Sequence, residues 1–318
     1  MNKATILSSF FVLFLASCSG SELPYVDSSD SSYLCISEAS LRGVSPVSRA
    51  TPGYTAITAG SIGVFLDDVL TTNENYIPVD NRAYDYSDGA WVGNPSSIKL
   101  GESAASVCAY YPFVEGYTSS AAIPLQSRVY DAAHDLAYAT AQTVDGTSKF
   151  EVSFQMKRAY ALLTLNIARD ANATGEITIS NIALGGADSK GILNKENTLN
   201  ISSGKYGTAT AADGADNALN FPFPKGGEIT LAPDGTSEQK FLLVPAAGLD
   251  KGLRITLTVY NETTTVSTVI SEITKFEAGY QSTVSLKLDG TVLNIESVTT
   301  EEWVDHQIDG GVPVLPVD

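Results

Sequence analysis

Short runs in which apolar and polar residues alternate recur along the chain from residue 54 onward. The clearest run is Leu253–Tyr260, where Ile255, Leu257 and Val259 alternate with polar residues. Alternation with a period of two is typical of a strand that is buried on one face. This pattern, or a β-branched run, also predicts strands at 61–66, 106–111, 150–154, 161–167, 176–179, 241–244 and 283–288.

Helical periodicity is nearly absent by comparison. The only helical element that we expect is a single turn near 131–139. Many short strands separated by polar turns, such as Asp145-Gly146, are typical of packed antiparallel sheets. The pattern therefore predicts an all-β fold of the β-sandwich class.

The N-terminus has the pattern of an export signal. A basic start is followed by the apolar run Ile6–Leu15, which is shorter than the roughly 20 residues that a membrane-spanning helix needs. The run ends in Leu15-Ala16-Ser17-Cys18, which resembles the lipobox of bacterial lipoproteins. We therefore predict a signal peptide at 1–17 and acylation of Cys18, which anchors the chain in the outer membrane.

Residues 18–49 are expected to form a polar tether that contains one short strand at Tyr33–Ile36. The following segment, Leu41–Gly53, is rich in Pro and Gly and predicts an exposed loop. Its two arginines, Arg42 and Arg49, are accessible to an Arg-specific protease if that loop is exposed. A linker with two ordinary surface arginines is the alternative that the residues alone leave open.

Charge and composition exclude several classes of function. The chain has 19 basic and 36 acidic residues, a net charge of −17, which argues against nucleic acid or an anionic membrane surface as a partner. With two His and three Cys, a metal centre or a catalytic site built on several imidazoles or thiolates is not expected. No nucleophile elbow, phosphate loop or metal-binding spacing is present, so we predict no enzyme, cofactor or metal.

Aromatic residues leave a second function open, a surface-anchored glycan-binding lipoprotein that does not polymerise. Exposed rings could stack on sugars, whereas buried rings would pack in the core. The candidates for either role are Trp91, Tyr84, Tyr86, Tyr110, Tyr111 and Tyr117.

Two cysteines also leave alternatives open. Cys35 and Cys108 could pair in an oxidising compartment, but their spacing in sequence does not show that their Cα atoms come within reach of each other.

Several segments behind the lipobox, taken in order, resemble the fimbrillins, the subunits of the lipoprotein-derived (type V) pili of Bacteroidetes. Where such proteins usually carry a His, before the Ala-x-Leu strand, this chain carries Lys157-Arg158. The segments are Ile62–Phe65, Ala109–Pro112, Asp135–Ala139, Val152–Leu165, Phe241–Pro245, Phe276–Tyr280 and the terminal Trp303.

The resemblance implies two transthyretin-like β-sandwich domains in tandem. We place them at 50–148 and 149–318, with the division at the polar break 143–149. It also implies that an Arg-specific protease removes the N-terminal segment together with its first strand. The residue that matches this cut is Arg49, with Arg42 as the alternative.

The resemblance further implies that the C-terminal strand of another subunit fills the groove left by the first strand. The segment that matches this donor strand is 304–318, and its apolar face carries Ile308, Val312 and Val314. A tail that completes the chain's own second sandwich is the alternative.

The implied function is a structural or adhesive subunit of a cell-surface fimbria. Its implied partners are other fimbrial subunits, as a homopolymer or a heteropolymer, and an Arg-specific protease. The sequence leaves open whether it also binds a host or bacterial surface ligand.

Overall fold

The computed structural model describes residues 33–44, 52–69, 79–171, 173, 175–188, 191–213, 217–233, 235–259, 264–289 and 292–303. The described chain is all-β, as predicted, and its one helical element is a 3-10 turn at Ala132–His134. The strands are β1 (Cys35–Val44), β2 (Pro52–Ala56), β3 (Ser61–Val69), β4 (Val79–Ser87), β5 (Ala90–Asn94), β6 (Ala105–Tyr111), β7 (Ile123–Gln126), β8 (Arg128–Val129), β9 (Ala137–Val144), β10 (Glu151–Arg158), β11 (Ala161–Arg169), β12 (Ile177–Gly186), β13 (Asn194–Asn200), β14 (Lys205–Tyr206), β15 (Thr210–Ala211), β16 (Leu219–Pro222), β17 (Ile229–Leu231), β18 (Thr236–Leu243), β19 (Leu253–Val259), β20 (Thr264–Ile270), β21 (Tyr280–Asp289) and β22 (Val292–Glu302).

The first half of the chain forms an eight-stranded sheet in the order β2-β1-β10-β9-β6-β3-β4-β5. This sheet curls so that β1 approaches β5, and the curl encloses an apolar core. Strand β10 illustrates why: its residues alternate strictly between exposed and buried, so that Val152, Phe154 and Met156 point into this core.

The second half contains two sheets that face each other across the largest core. One has the order β22-β21-β11-β18-β8, and the other has the order β16-β12-β19-β20 with β17 paired to β12. The alternation predicted at 253–260 is confirmed, because Ile255, Leu257 and Val259 are buried and the residues between them are half-buried. Two facing sheets with one buried face each form a sandwich.

A third, aromatic-rich cluster joins the two halves. Strands β7 and β8 lie in sequence between β6 and β9 of the first sheet, but they pair with β13 and β18 of the second half. Tyr110 and Tyr138 from the first sheet pack in this cluster with Tyr160 and Trp303. The contact between the halves is therefore a continuous apolar core.

Two sequence expectations need correction at β1 and β2. The first strand extends over Cys35–Val44, well beyond the expected Tyr33–Ile36, and Gly53 pairs with Gly43 in the sheet. The loop expected at Leu41–Gly53 is therefore wrong at both of its ends, and residues 45–51 lie outside the described residues. Pro52 is compatible with a strand here because it is the first residue of an edge strand.

The expected division between residues 148 and 149 falls within the β9–β10 hairpin of a single sheet. Strand β10 stays in the first sheet because its three apolar side chains fill the first core. The chain changes sheet between β10 and β11, at Ala159 and Tyr160.

Candidate functional site

Strand β1 lies inside the first sheet, between β10 and β2. It runs parallel to β10, and the pairs include Ile36 with Val152, Ala39 with Phe154, and Leu41 with Met156. It runs antiparallel to β2. A bulge between Ile36 and Glu38 inserts one extra residue into β1.

The inner face of β1 belongs to the first core. Leu34, Ile36, Ala39 and Leu41 are all buried there. We call the channel that holds these four residues along β10 the β1 site. A sheet that loses this strand would expose a row of unpaired backbone groups and an apolar channel, which a strand from another chain could cover.

Hydrogen bonds outside the regular ladder hold the start and the middle of the segment that fills the β1 site. The Leu34 N–H donates to the Ile98 carbonyl at 2.8 Å, and the Cys35 N–H donates to the Phe150 carbonyl at 2.9 Å. Further along, the Ile57 N–H donates to the Ala39 carbonyl at 2.8 Å. The strand is therefore fixed by backbone bonds as well as by burial.

Arg42, the alternative cleavage site, lies in β1 and not in a loop. Its backbone is opposite Tyr54 of β2, and its half-exposed side chain forms an ion pair with Glu302 at 3.6 Å. Glu302 is the last residue of β22. The C-terminal end of β1 therefore meets the C-terminal end of the described chain.

Trp303 closes the described chain and is buried, with 3% of its surface exposed. Its N–H donates to the Gly279 carbonyl at 2.8 Å, and its ring packs edge-on against Tyr130 at 6.3 Å. The tail, residues 304–318, therefore starts from a fixed point of the fold.

Arg158 connects that fixed point to the first sheet. Its side chain is almost fully buried, and its Nε donates to Asp135 Oδ2 at 3.0 Å. Its Nη1 donates to the Trp303 carbonyl at 3.4 Å, and its guanidinium lies 4.0 Å from the centre of the Trp303 ring. The sequence singles out Lys157-Arg158 but assigns no role to either residue. The alternation of β10 places Arg158 on the same face as Phe154 and Met156, and this pattern could have indicated that Arg158 is buried.

A pocket of about 230 Å³ lies where β1, β10 and the end of β22 meet. Lys157 on one wall lies over the Tyr138 ring, with Nζ 5.1 Å from the ring centre. The other wall residues include Arg42, Gly43, Tyr206, Tyr280 and Trp303. This junction pocket therefore joins the end of the β1 site to the start of the tail.

The aromatic residues considered for glycan stacking lie largely in the core. Tyr84, Trp91 and Tyr110 are buried, and the Ile98 N–H donates to the Tyr84 hydroxyl at 2.8 Å. Tyr86 is partly buried and packs edge-on against Trp91 at 5.1 Å. Burial raises the pKa of Tyr111 and of Tyr117. These rings therefore do not form an exposed stacking platform, and the core-packing interpretation is confirmed.

Cys35 and Cys108 are not joined by a disulfide bond in the structure. Among the described residues, no group of three or more His, Cys, Asp or Glu side chains could hold a metal ion. Over the same ranges, no helix has the length and apolar character needed to cross a bilayer.

Five of the residues proposed from the sequence lie outside the described residues. They are Cys18, Arg49, Ile308, Val312 and Val314. Of the proposed site residues, Arg42 alone falls within the described ranges, and its contact with Glu302 could not be inferred from the sequence because the two are 260 positions apart.

Comparison with solved structures supports the fold. A candidate cell adhesion protein from Bacteroides ovatus superimposes with a TM-score of 0.60 at 17% identity, over 87% of this chain and 99% of that one. A second candidate cell adhesion protein, from Bacteroides uniformis, gives a TM-score of 0.53 at 17% identity, over 84% and 97% of the two chains. At these identities the likeness concerns the fold alone.

Sequence comparison identifies the family. No curated protein matches the sequence significantly. The fimbrillin-like family model matches residues 48–303, a stretch that begins one residue before Arg49 and ends at Trp303. Because this match covers most of the chain, the protein belongs to the fimbrillin-like family.

Proposed function

We propose that this protein is a structural and adhesive subunit of a cell-surface fimbria that is exported as a lipoprotein, matured by an Arg-specific protease and assembled by strand donation. Membership of the fimbrillin-like family supports the fimbrial role. The observation that carries the assembly step is the position of β1, an interior strand with a buried apolar face that lies wholly upstream of Arg49.

The location of β1 favours Arg49 over Arg42 as the cleavage site. A cut after Arg49 separates all of β1 from the rest of the chain, whereas a cut after Arg42 leaves Gly43 and Val44 attached. The backbone at Arg42 is also paired with Tyr54 in the sheet. A protease needs an accessible backbone, so a paired strand is a poor substrate.

Burial of β1 favours the proposal that assembly proceeds by exchange of strands rather than through an empty groove. Its three large apolar side chains, Leu34, Ile36 and Leu41, contribute roughly 1.5–3 kcal/mol each when fully buried, or roughly 5–9 kcal/mol together. The cleaved strand therefore stays bound until another strand with similar apolar side chains replaces it.

The glycan-binding alternative is not supported by an observation of its own. It depends on exposed aromatic rings, and three of its six candidates are buried in the cores.

The test is to treat the purified chain, without its signal peptide, with an Arg-specific protease and to look for SDS-resistant ladders. We expect a 269-residue product that starts at Ala50 and forms oligomers. Arg49→Lys should block both cleavage and oligomers, whereas the matched control Arg42→Lys should leave both unchanged. Ladders from the uncut Arg49→Lys chain, or none from the cut wild type, would refute the proposal.

A further inference from the structure

The junction pocket contains two polar groups that the fold itself does not use. Tyr138 is only 2% exposed, and its hydroxyl has no hydrogen-bond partner among the described residues. The Lys157 ammonium lies over the Tyr138 ring, and it forms no ion pair with a carboxylate of the described ranges. A hydroxyl that is buried without a partner is costly, so these two groups indicate a ligand that the described chain does not supply.

Gly204 brings the two groups to one small space. Its φ is +71°, in the left-handed region that favours glycine, and it lines the same pocket. A β-carbon on Gly204 would lie 3.5 Å from the Tyr138 hydroxyl and 3.6 Å from Lys157 Nζ. A hydroxyl from β9 and an ammonium from β10 therefore face the space that this glycine leaves open.

The other charges at this pocket are already paired. Arg42 forms an ion pair with Glu302 at 3.6 Å, and Arg158 forms one with Asp135 at 3.0 Å. Because each of these pairs is neutral, Lys157 supplies the uncompensated charge among the described residues that line the pocket. One ammonium favours a ligand with a single negative charge. An ammonium and a hydroxyl, both of which donate, match the two oxygens of one carboxylate.

The walls of the pocket indicate the size of the ligand. The volume of about 230 Å³ is below the roughly 300–1,000 Å³ of pockets that hold drug-sized molecules, so the space suits one ring-sized group. Tyr280 on the wall is 37% exposed and offers an apolar ring face with a polar edge, as a sugar ring does. We propose that the junction pocket binds one sugar acid, free or at the end of a glycan, with its carboxylate between Tyr138 and Lys157.

This site goes beyond the proposed assembly function, and it uses none of the six aromatic residues that the sequence suggests for glycan stacking. Tyr138, Lys157 and Gly204 all lie downstream of Arg49, so a cut there leaves them in the chain. Binding can therefore be measured on the uncut chain, and the result depends on neither cleavage nor oligomers.

The experiment titrates the uncut chain, without its signal peptide, with D-glucuronate and with N-acetylneuraminate, and follows binding by NMR. D-glucose is the matched probe, because it differs from glucuronate only in having a hydroxymethyl group in place of the carboxylate. We expect saturable binding of at least one acid and at least ten-fold weaker binding of glucose. Binding of neither acid, or equal binding of glucose and glucuronate, would overturn the proposal.

The methyl glycoside of the acid that binds distinguishes the two sources of the ligand. Affinity equal to that of the free acid would support the end of a glycan, because the glycosidic position then points out of the pocket. Binding of the free acid alone would support a free sugar acid. Tighter binding of glucose 6-sulfate than of either acid would overturn the choice of a carboxylate.

Two tyrosine variants separate binding from folding. Tyr138→Phe should weaken binding of the acid at least ten-fold without lowering the melting temperature, because the hydroxyl has no partner in the described fold. Tyr160→Phe is the control, since its hydroxyl accepts a hydrogen bond from the Gln126 N–H at 3.1 Å and the residue does not line the pocket. It should lower the melting temperature and leave the affinity unchanged.

A glycine variant tests the position of the ligand. Gly204→Asn should fill the space and weaken binding at least ten-fold, because Asn tolerates a positive φ and leaves the backbone in place. Gly226 has a φ of +86° and no atom within 4 Å of a β-carbon, so Gly226→Asn is the matched control and should bind as the wild type does. Wild-type affinity of Tyr138→Phe or of Gly204→Asn would overturn the site, and so would an equal loss in either control.

Discussion

The guanidinium of Arg158 lies 4.0 Å from the centre of the Trp303 ring, and this contact joins β10 of the first sheet to the last described residue of the second half. The same guanidinium donates to the Trp303 carbonyl and to Asp135. A buried charge that is paired and stacked in this way orients the groups around it. The point from which the tail leaves is therefore set by a side chain of β10.

Arg158→Leu should destabilise the fold strongly. Removing one partner of a buried ion pair costs about 3–5 kcal/mol because the other charge, here Asp135, is left without its cation. Urea unfolding measures the free energy of unfolding. The neighbouring exposed residue is the control, and Lys157→Ala, which removes only an exposed contact with the Tyr138 ring, should change that free energy by about 1 kcal/mol or less. Equal effects of the two changes would contradict the structural role of Arg158.

Trp303 and the tail that follows it should differ sharply in their contribution to stability. Trp303→Ala removes a buried ring and should lower the free energy of unfolding by about 3–5 kcal/mol, as measured by urea unfolding.

Deletion of residues 304–318 should leave the thermal melt of the uncut monomer unchanged and abolish SDS-resistant oligomers after cleavage. A large fall in the melting temperature of the deletion variant would instead support the alternative in which the tail completes its own sandwich.

Cleavage after Arg49 should not by itself release β1. Because its buried side chains contribute roughly 5–9 kcal/mol, the severed segment should co-elute with the 269-residue product in gel filtration. The measurement is made on a variant that lacks residues 304–318, because this variant has no donor strand that could displace β1. Denaturant should then release the segment, and its loss under native conditions would contradict tight burial of β1.

Acylation of Cys18 is tested by detergent partitioning. Each methylene of a lipid chain that enters the membrane contributes about 0.8 kcal/mol, so an acylated protein partitions into the detergent phase. We expect Cys18→Ala to move to the aqueous phase and to retain its signal peptide. Unchanged partitioning of the variant would refute the lipoprotein assignment.

Buried tyrosines should make the fold sensitive to alkali. Desolvation raises the pKa of Tyr138 and of Tyr160 to about 12, from 10 in the unfolded chain. The folded state then holds these protons more tightly, so stability is fully present below pH 10 and falls as the pH rises towards 12. Two such groups give a slope of up to about 2.7 kcal/mol per pH unit. Absorbance of tyrosinate against pH, recorded beside circular dichroism, should show these two groups ionising only as the fold is lost.

The sequence predicts strands that carry a clear pattern of their own and misses several that depend on pairing with other strands. Alternation identifies β19, where every second residue is buried. Strand β22 is missed because Leu293 is its only buried residue, so that its existence depends on pairing with β21 rather than on its own pattern. The short β7 and β8 are missed because their partners, β13 and β18, come much later in the chain.

For the site, the sequence identifies which segments are involved but not how they meet. Pro and Gly between Leu41 and Gly53 suggest a loop, yet Leu41 is buried and Gly43 pairs with Gly53, which extends the sheet to Arg42 and beyond. The ion pair of Arg42 with Glu302 joins residues from opposite ends of the chain. Such contacts follow from the packing of the two halves, which local patterns do not encode.

The dual role of β10 has a mechanical consequence for a filament built as proposed. The strand that would hold a neighbour's tail along the β1 site also carries Arg158, which holds the start of this chain's own tail. Pulling force would enter each subunit and leave it through one strand, without crossing the β16-β12-β19-β20 sheet of the second half. The force would act along the donor strand, parallel to β10. The backbone hydrogen bonds between the two strands would therefore resist separation together rather than one at a time. Tensile strength would then depend on the short path between Phe154 and Arg158 rather than on the size of the subunit.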